Sequence, residues 1–162
     1  MTDYPGDSLR FVADLMLKKL AKYLRALGYD TTFSENFDDP ELLEIASRED
    51  RILLTRDRAL YEMAPAGYAF LITPQIPERQ LSQVAESYPI SFDSSRFLVR
   101  CLECNTPLQP APKKDVKGRV PRRVFHHRDE FFYCPFCDQV FWRGDHARRM
   151  RKKLRHLLGQ ES

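Results

Sequence analysis

The sequence predicts an α/β fold, a parallel sheet flanked by helices over residues 1–95, followed over residues 96–162 by a small cysteine-bearing β module and a basic C-terminal helix. Three observations lead there. Strand-like and helix-like segments alternate up to about residue 95, the order of right-handed βαβ crossovers in a parallel sheet. The charge divides at the same place: residues 1–95 hold 10 Lys and Arg against 16 Asp and Glu, and residues 96–162 hold 16 against 7. All four cysteines, Cys101, Cys104, Cys134 and Cys137, lie in the basic part as two C-x-x-C pairs.

Taken in order, Arg10 to Ala13 is a short apolar run ending in Asp14, a strand. Leu17, Leu20, Ala21, Leu24 and Leu27 then recur at helical spacing until Gly28 stops the helix. Asp30 to Phe33 is strand-compatible. Asp38-Asp39-Pro40 opens a second helix bearing Leu42, Leu43, Ile45 and Ala46, with Asp39 as its expected N-cap and proline next. Ile52 to Thr55 reads as a buried strand, Tyr68 to Ile72 as another, and Pro77 to Tyr88 as a helix. Beyond residue 95, short β-type runs (Phe97 to Val99, Val124-Phe125, Phe131 to Tyr133, Val140 to Trp142) surround the cysteines. Gln109 to Arg123 reads as a mobile loop and His146 to Leu158 as the basic helix.

At 162 residues, 43% apolar and 30% charged, the chain has the material for a packed core and excludes both wholesale disorder and large multidomain machinery. Its apolar runs fall far short of the ~20 residues that span a bilayer, and Met1 to Arg10 shows no basic region followed by an apolar stretch. The expectation is a cytoplasmic protein with no membrane partner. An acidic part joined to a basic part points to a polyanion gripped by one and a cation required by the other.

The two C-x-x-C pairs stand 29 residues apart, the arrangement in which two tight turns wrap opposite sides of a tetrahedral zinc ion. Four thiolates fill its coordination shell, so this zinc is structural. His126, His127 and His146 are alternative ligands, though the cysteines suffice. The intervening Lys113, Lys114, Arg122 and Arg123 and the final helix's Arg148, Arg149, Lys152 and Lys153 make a candidate phosphate-binding surface; a solvated charged face is the other reading.

In a parallel sheet, ligands bind beyond the carboxyl ends of the strands. Asp14 ends the first strand, Asp57 follows the strand Ile52 to Thr55, and Asp39 precedes the second helix, so all three are expected at one edge. Converging carboxylates repel unless a hard cation such as magnesium or manganese holds them. Each also has an ordinary use: Asp14 and Asp39 as helix caps, Asp57 in turn chemistry.

Phe11-Val12-Ala13-Asp14 with its Leu-Ala-x-x-Leu-Arg helix ending in Leu27-Gly28-Tyr29-Asp30, then Asp38 to Ala46, then Arg51 to Asp57, resembles the PIN-like RNase family typified by the carboxy-terminal domain of Mut-seven proteins. Cys101-Leu102-x-Cys104-Asn105, Cys134-Pro135-x-Cys137 and Trp142-x-Gly144-x-His146 are similar to that family's appended zinc ribbon, so the likeness runs from about residue 10 to about 155. It implies a PIN-like parallel sheet and an acidic metal site on Asp14, Asp39 and Asp57, with Asp93 or, less well, Asp38 as a fourth acid. Thr55 would support that site through its hydroxyl, and Arg56 or Arg58 would contact a phosphate. The implied activity is metal-dependent hydrolysis of RNA, with single-stranded DNA as a possible further substrate. The ribbon would position the nucleic acid. A non-catalytic RNA- or ribosome-binding adaptor is the alternative.

Overall fold

A computed structural model describes residues 9–160; residues 1–8, part of the opening stretch read for an export signal, lie outside them. The first part contains β1 (Arg10–Ala13), a single 3₁₀ turn (Leu15–Leu17), α1 (Lys18–Ala26), β2 (Asp30–Phe33), α2 (Asp39–Arg48), β3 (Ile52–Thr55), α3 (Arg58–Met63), β4 (Ala69–Leu71) and α4 (Pro77–Ser87). The four strands are all parallel and lie in the order β2-β1-β3-β4. The chain therefore winds one way from β1 to β2 and the other way from β3 to β4. That switch point between β1 and β3 opens a crevice outside the strands' carboxyl ends.

Both faces of the sheet are covered, which explains the near-continuous apolar strands. Phe11, Ala13, Ile52 and Leu54 point to one core with Leu20, Leu24, Leu81 and Val84. Val12 and Leu53 point to the other, with Leu42, Ile45 and Leu60 from α2 and α3. Gly28, at φ +94°, turns the chain from α1 into β2 where an added Cβ would lie 2.6 Å from the Arg96 carbonyl oxygen, so no other residue fits without movement.

The second part contains β5 (Gln109–Ala111), α5 (Lys113–Val116), α6 (Arg122–His127), β6 (Phe131–Cys134), β7 (Gln139–Phe141) and α7 (Asp145–Leu157). The strands form an antiparallel sheet in the order β5-β6-β7. Helix α7 buries Ala147 and Leu154 in the core shared with α1 and α4, its basic residues left on the outside as amphipathic spacing requires.

Three local expectations are corrected. Val124 and Phe125 lie in helix α6 rather than a strand, and the expected loop from Gln109 to Arg123 contains β5, α5 and the start of α6. Phe97 to Val99 is apolar because Phe97 is buried in the core, yet Leu98 has φ +55° and the segment forms a turn. Helix α3, between β3 and β4, is six residues long and buries Leu60 alone, too short for a periodic signal to fix its bounds. No helix among the described residues is long and apolar enough to cross a membrane.

Candidate functional site

The crevice at the switch point is built on three consecutive polar groups. Asp14 leaves β1 with its backbone N–H bound to the Leu54 carbonyl at 3.0 Å and its own carbonyl accepting from Leu17 at 2.9 Å. Its side chain makes no capping bond; instead the Thr55 hydroxyl donates to Asp14 Oδ2 at 2.7 Å. The same hydroxyl oxygen accepts the Asp57 N–H at 3.0 Å. Asp57 Oδ1 caps α3, accepting from Ala59 at 2.9 Å and Leu60 at 3.2 Å, which leaves Oδ2 for another partner. A fully buried threonine thus joins the two acids across β1 and β3.

Asp39 comes from a third element, α2. Asp38, not Asp39, caps α2 by accepting the Glu41 N–H at 2.9 Å, which corrects the expected cap and occupies one oxygen of the weaker fourth-acid candidate. Asp39 is the first residue of α2, exposed, beyond the carboxyl end of β2. Asp93 is exposed in a turn, accepting from the Ser95 backbone and hydroxyl. That turn follows Ser91, which binds the Tyr29 hydroxyl, and so belongs near the start of β2 rather than the carboxyl edge. Among the described residues, the group of acids, histidines and cysteines whose ligand atoms converge to metal-binding separation is the cysteine quartet, not the carboxylates. Arg56 reaches the Thr73 carbonyl at 3.5 Å and has a buried Nε without a partner.

The four sulfurs lie within 4.8 Å of one another, with Cys104 and Cys134 3.4 Å apart and Cys101 and Cys137 4.0 Å apart. Tetrahedral zinc with bonds of ~2.3 Å sets its sulfurs about 3.8 Å apart, so these residues fit the ion. Each knuckle closes the same way: Asn105 returns to the Cys101 carbonyl and Asp138 to the Cys134 carbonyl, both at 2.9 Å, and both take left-handed φ of 75° and 55°. Asn and Asp tolerate that conformation. Burial pushes the Cys101 thiol up. At Cys104 burial also acts upward, but the Thr106 hydroxyl 3.1 Å away and neighbouring bonds outweigh it and bring the thiol to about 7. The histidines are not part of this group.

The basic residues divide into paired and free. Lys113 binds Asp129 at 3.1 Å and lies over the Phe125 ring. Lys153 binds Glu78 at 3.3 Å and lies over Tyr23, and Arg148 binds Asp145 at 2.9 Å. Lys114, Arg122, Arg123, Arg149 and Lys152 are exposed, and none has an ion pair recorded among the described residues. Arg25, buried in α1, was not singled out from sequence; it binds the Thr31 and Leu102 carbonyls, each at 2.9 Å, and ties the first knuckle to β2.

A parallel α/β domain with acids at its switch point, carrying a four-thiol ribbon, defines the class of this molecule. The model of the Mut7-C RNAse domain matches residues 9–154, and the chain belongs to that family. It is also 28% identical over 106 residues, 62% of this chain, to the human protein named exonuclease mut-7 homolog, of which the match covers 12%. No solved structure matches the chain.

Proposed function

We propose that this chain is a metal-dependent ribonuclease, with residues 1–95 as the hydrolytic domain and residues 96–162 as a zinc ribbon and helix that position RNA. The observation that supports it best is the Asp14–Thr55–Asp57 chain at the switch point of a Mut7-C RNAse domain. Asp14 and Asp57 each keep a carboxylate oxygen outside these bonds, the hard donor type that magnesium or manganese takes, and Asp39 would complete the set from α2. Those carboxylates would hold a divalent ion, whose chemistry would be water activation and charge neutralisation at the phosphate. The protein's own part is positional. Thr55 holds Asp14 in one orientation, Arg56 meets the incoming phosphate, and Arg149 and Lys152 on α7 bind the strand at a distance from the reaction.

The rival reading is a non-catalytic RNA-binding adaptor, which the lack of a carboxylate group at metal-binding separation among the described residues favours. Degradation of labelled RNA and DNA with magnesium, with manganese or with neither, beside an Asp14→Asn control, decides between them. The expected result is divalent-ion-dependent RNA cleavage that the control lacks. RNA binding without any cleavage by the zinc-loaded wild type would establish the adaptor instead.

A further inference from the structure

A cavity of ≈ 280 Å³ lies between the ribbon and the start of α7, away from the carboxylates. Its walls are the rings of Phe132, Phe141 and Trp142 with Leu102, Leu108 and Met150. Two cations border it in fixed positions. The Arg143 guanidinium lies 5.2 Å from the centre of the Phe132 ring and donates to the Phe97 carbonyl at 3.1 Å. Arg100 donates to the Gly28 and Asn105 carbonyls at 3.3 and 3.0 Å. The one acid in the lining, Asp145, is paired with Arg148.

We propose that this cavity holds one unpaired nucleobase of a single-stranded nucleic acid, an anchoring site separate from the carboxylates. The proposal rests on the nucleic-acid reading above and gives it a second point of contact. A flat heterocycle satisfies aromatic walls in any sequence, while the phosphates on either side meet Arg100, Arg143 and the free cations of α7. An apolar peptide or a lipid chain would cover the two guanidinium groups without supplying counter-charge, at a desolvation cost. The volume sits near the ~300 Å³ lower end of small-ligand sites, room for one ring system and not for a helix or a base pair. Leu102 also lines a second cleft containing Lys18, Lys22, Arg25 and Phe33. That cleft is not a second phosphate track: Glu35 and Glu103 share it and pair with Lys18 and Lys22 at 3.0 and 3.1 Å, so the anchoring contacts are those of the cavity itself.

Trp142 is the single tryptophan of the chain, so its fluorescence reports on this cavity alone. Zinc-loaded wild-type protein, without magnesium or manganese, is titrated with octauridylate, with octathymidylate and with an abasic octamer of equal length. Both base-bearing strands should quench Trp142 saturably, and the abasic strand should not. By anisotropy, Trp142→Leu should weaken octauridylate binding about tenfold with an unchanged salt slope, because stacking and not phosphate contact is lost. His146→Ala, an exposed lining residue, should weaken it several-fold. Equal affinity for the abasic strand, binding without any Trp142 response, or quenching by an apolar peptide alone would overturn the proposal. If Trp142→Leu loses its zinc or its fold, the wild-type quenching and His146→Ala decide. Cleavage is scored separately, so a protein that cuts RNA without base-dependent quenching keeps the nuclease reading and loses this one.

Discussion

Asn105 and Asp30 join the first cysteine knuckle to the sheet: Asn105 Nδ2 donates to Asp30 Oδ1 at 2.7 Å, while Asn105 Oδ1 accepts the Thr31 N–H at 3.0 Å. Strand β2 is an edge strand, and the outward N–H and carbonyl of Thr31 are satisfied by Asn105 and Arg25 instead of a fifth strand. Asn105→Ala should lower stability by about 1–3 kcal/mol, the cost of leaving part-buried polar groups unpaired. Asn105→Gly keeps the left-handed turn and loses the same bonds, so it should melt nearly as early in urea. A glycine variant as stable as wild type would assign the effect to backbone strain alone.

Acid should weaken the same junction. Burial acts to raise the Asp30 pKa, but hydrogen bonds from Arg51 and Asn105 outweigh it and hold the carboxyl below its ordinary value. A folded pKa below the unfolded one means the contribution is complete above about pH 4–5 and is lost as pH falls through the folded value. Wild type should therefore lose stability more steeply below about pH 4 than Asp30→Asn, which starts lower. Parallel acid melting curves would remove Asp30 from this account.

Thr55 couples the two acids of the crevice. Thr55→Val fills the same buried space without the hydroxyl, so Asp14 loses its donor and the Asp57 N–H its acceptor. RNA cleavage should fall by at least about tenfold as the carboxylates lose their fixed orientation, and Thr55→Ser should restore most of it. Single-turnover rates for the two variants make the comparison; equal rates would reduce Thr55 to packing.

Metal analysis should find about one zinc per chain. Cys104→Ser or Cys137→Ser should release it, and because Asn105 directly follows Cys104, zinc loss should also lower the melting temperature of the whole chain. Serine variants with full zinc and unchanged melting would refute the site.

On α7, pairing separates binding from stability. Arg149→Glu with Lys152→Glu should weaken RNA binding and reduce the salt slope by roughly one unit per lost phosphate contact. Lys153→Glu faces Glu78 at 3.3 Å and should instead act on stability, seen as earlier thermal unfolding. An unchanged salt slope in the double variant would make α7 a solvated face.

Features that repeat locally are legible in the residues alone. The alternation of apolar strands and amphipathic helices and the paired C-x-x-C units follow from periodicity and spacing, because burial of one face and chelation by a tight turn need only near neighbours. Tertiary structure decided the rest. The switch between β1 and β3 set Asp14 beside Asp57 through Thr55, with Asp39 on α2 beyond the neighbouring strand β2. Packing against Gly28 and the core turned the apolar run at Phe97 away from a strand. The bond of Asn105 to Asp30 spans 75 residues of chain, as does the shared core of α7 with α1 on a larger scale. Such contacts depend on how whole elements dock, and no local pattern of residue types encodes which distant partner a polar side chain will meet.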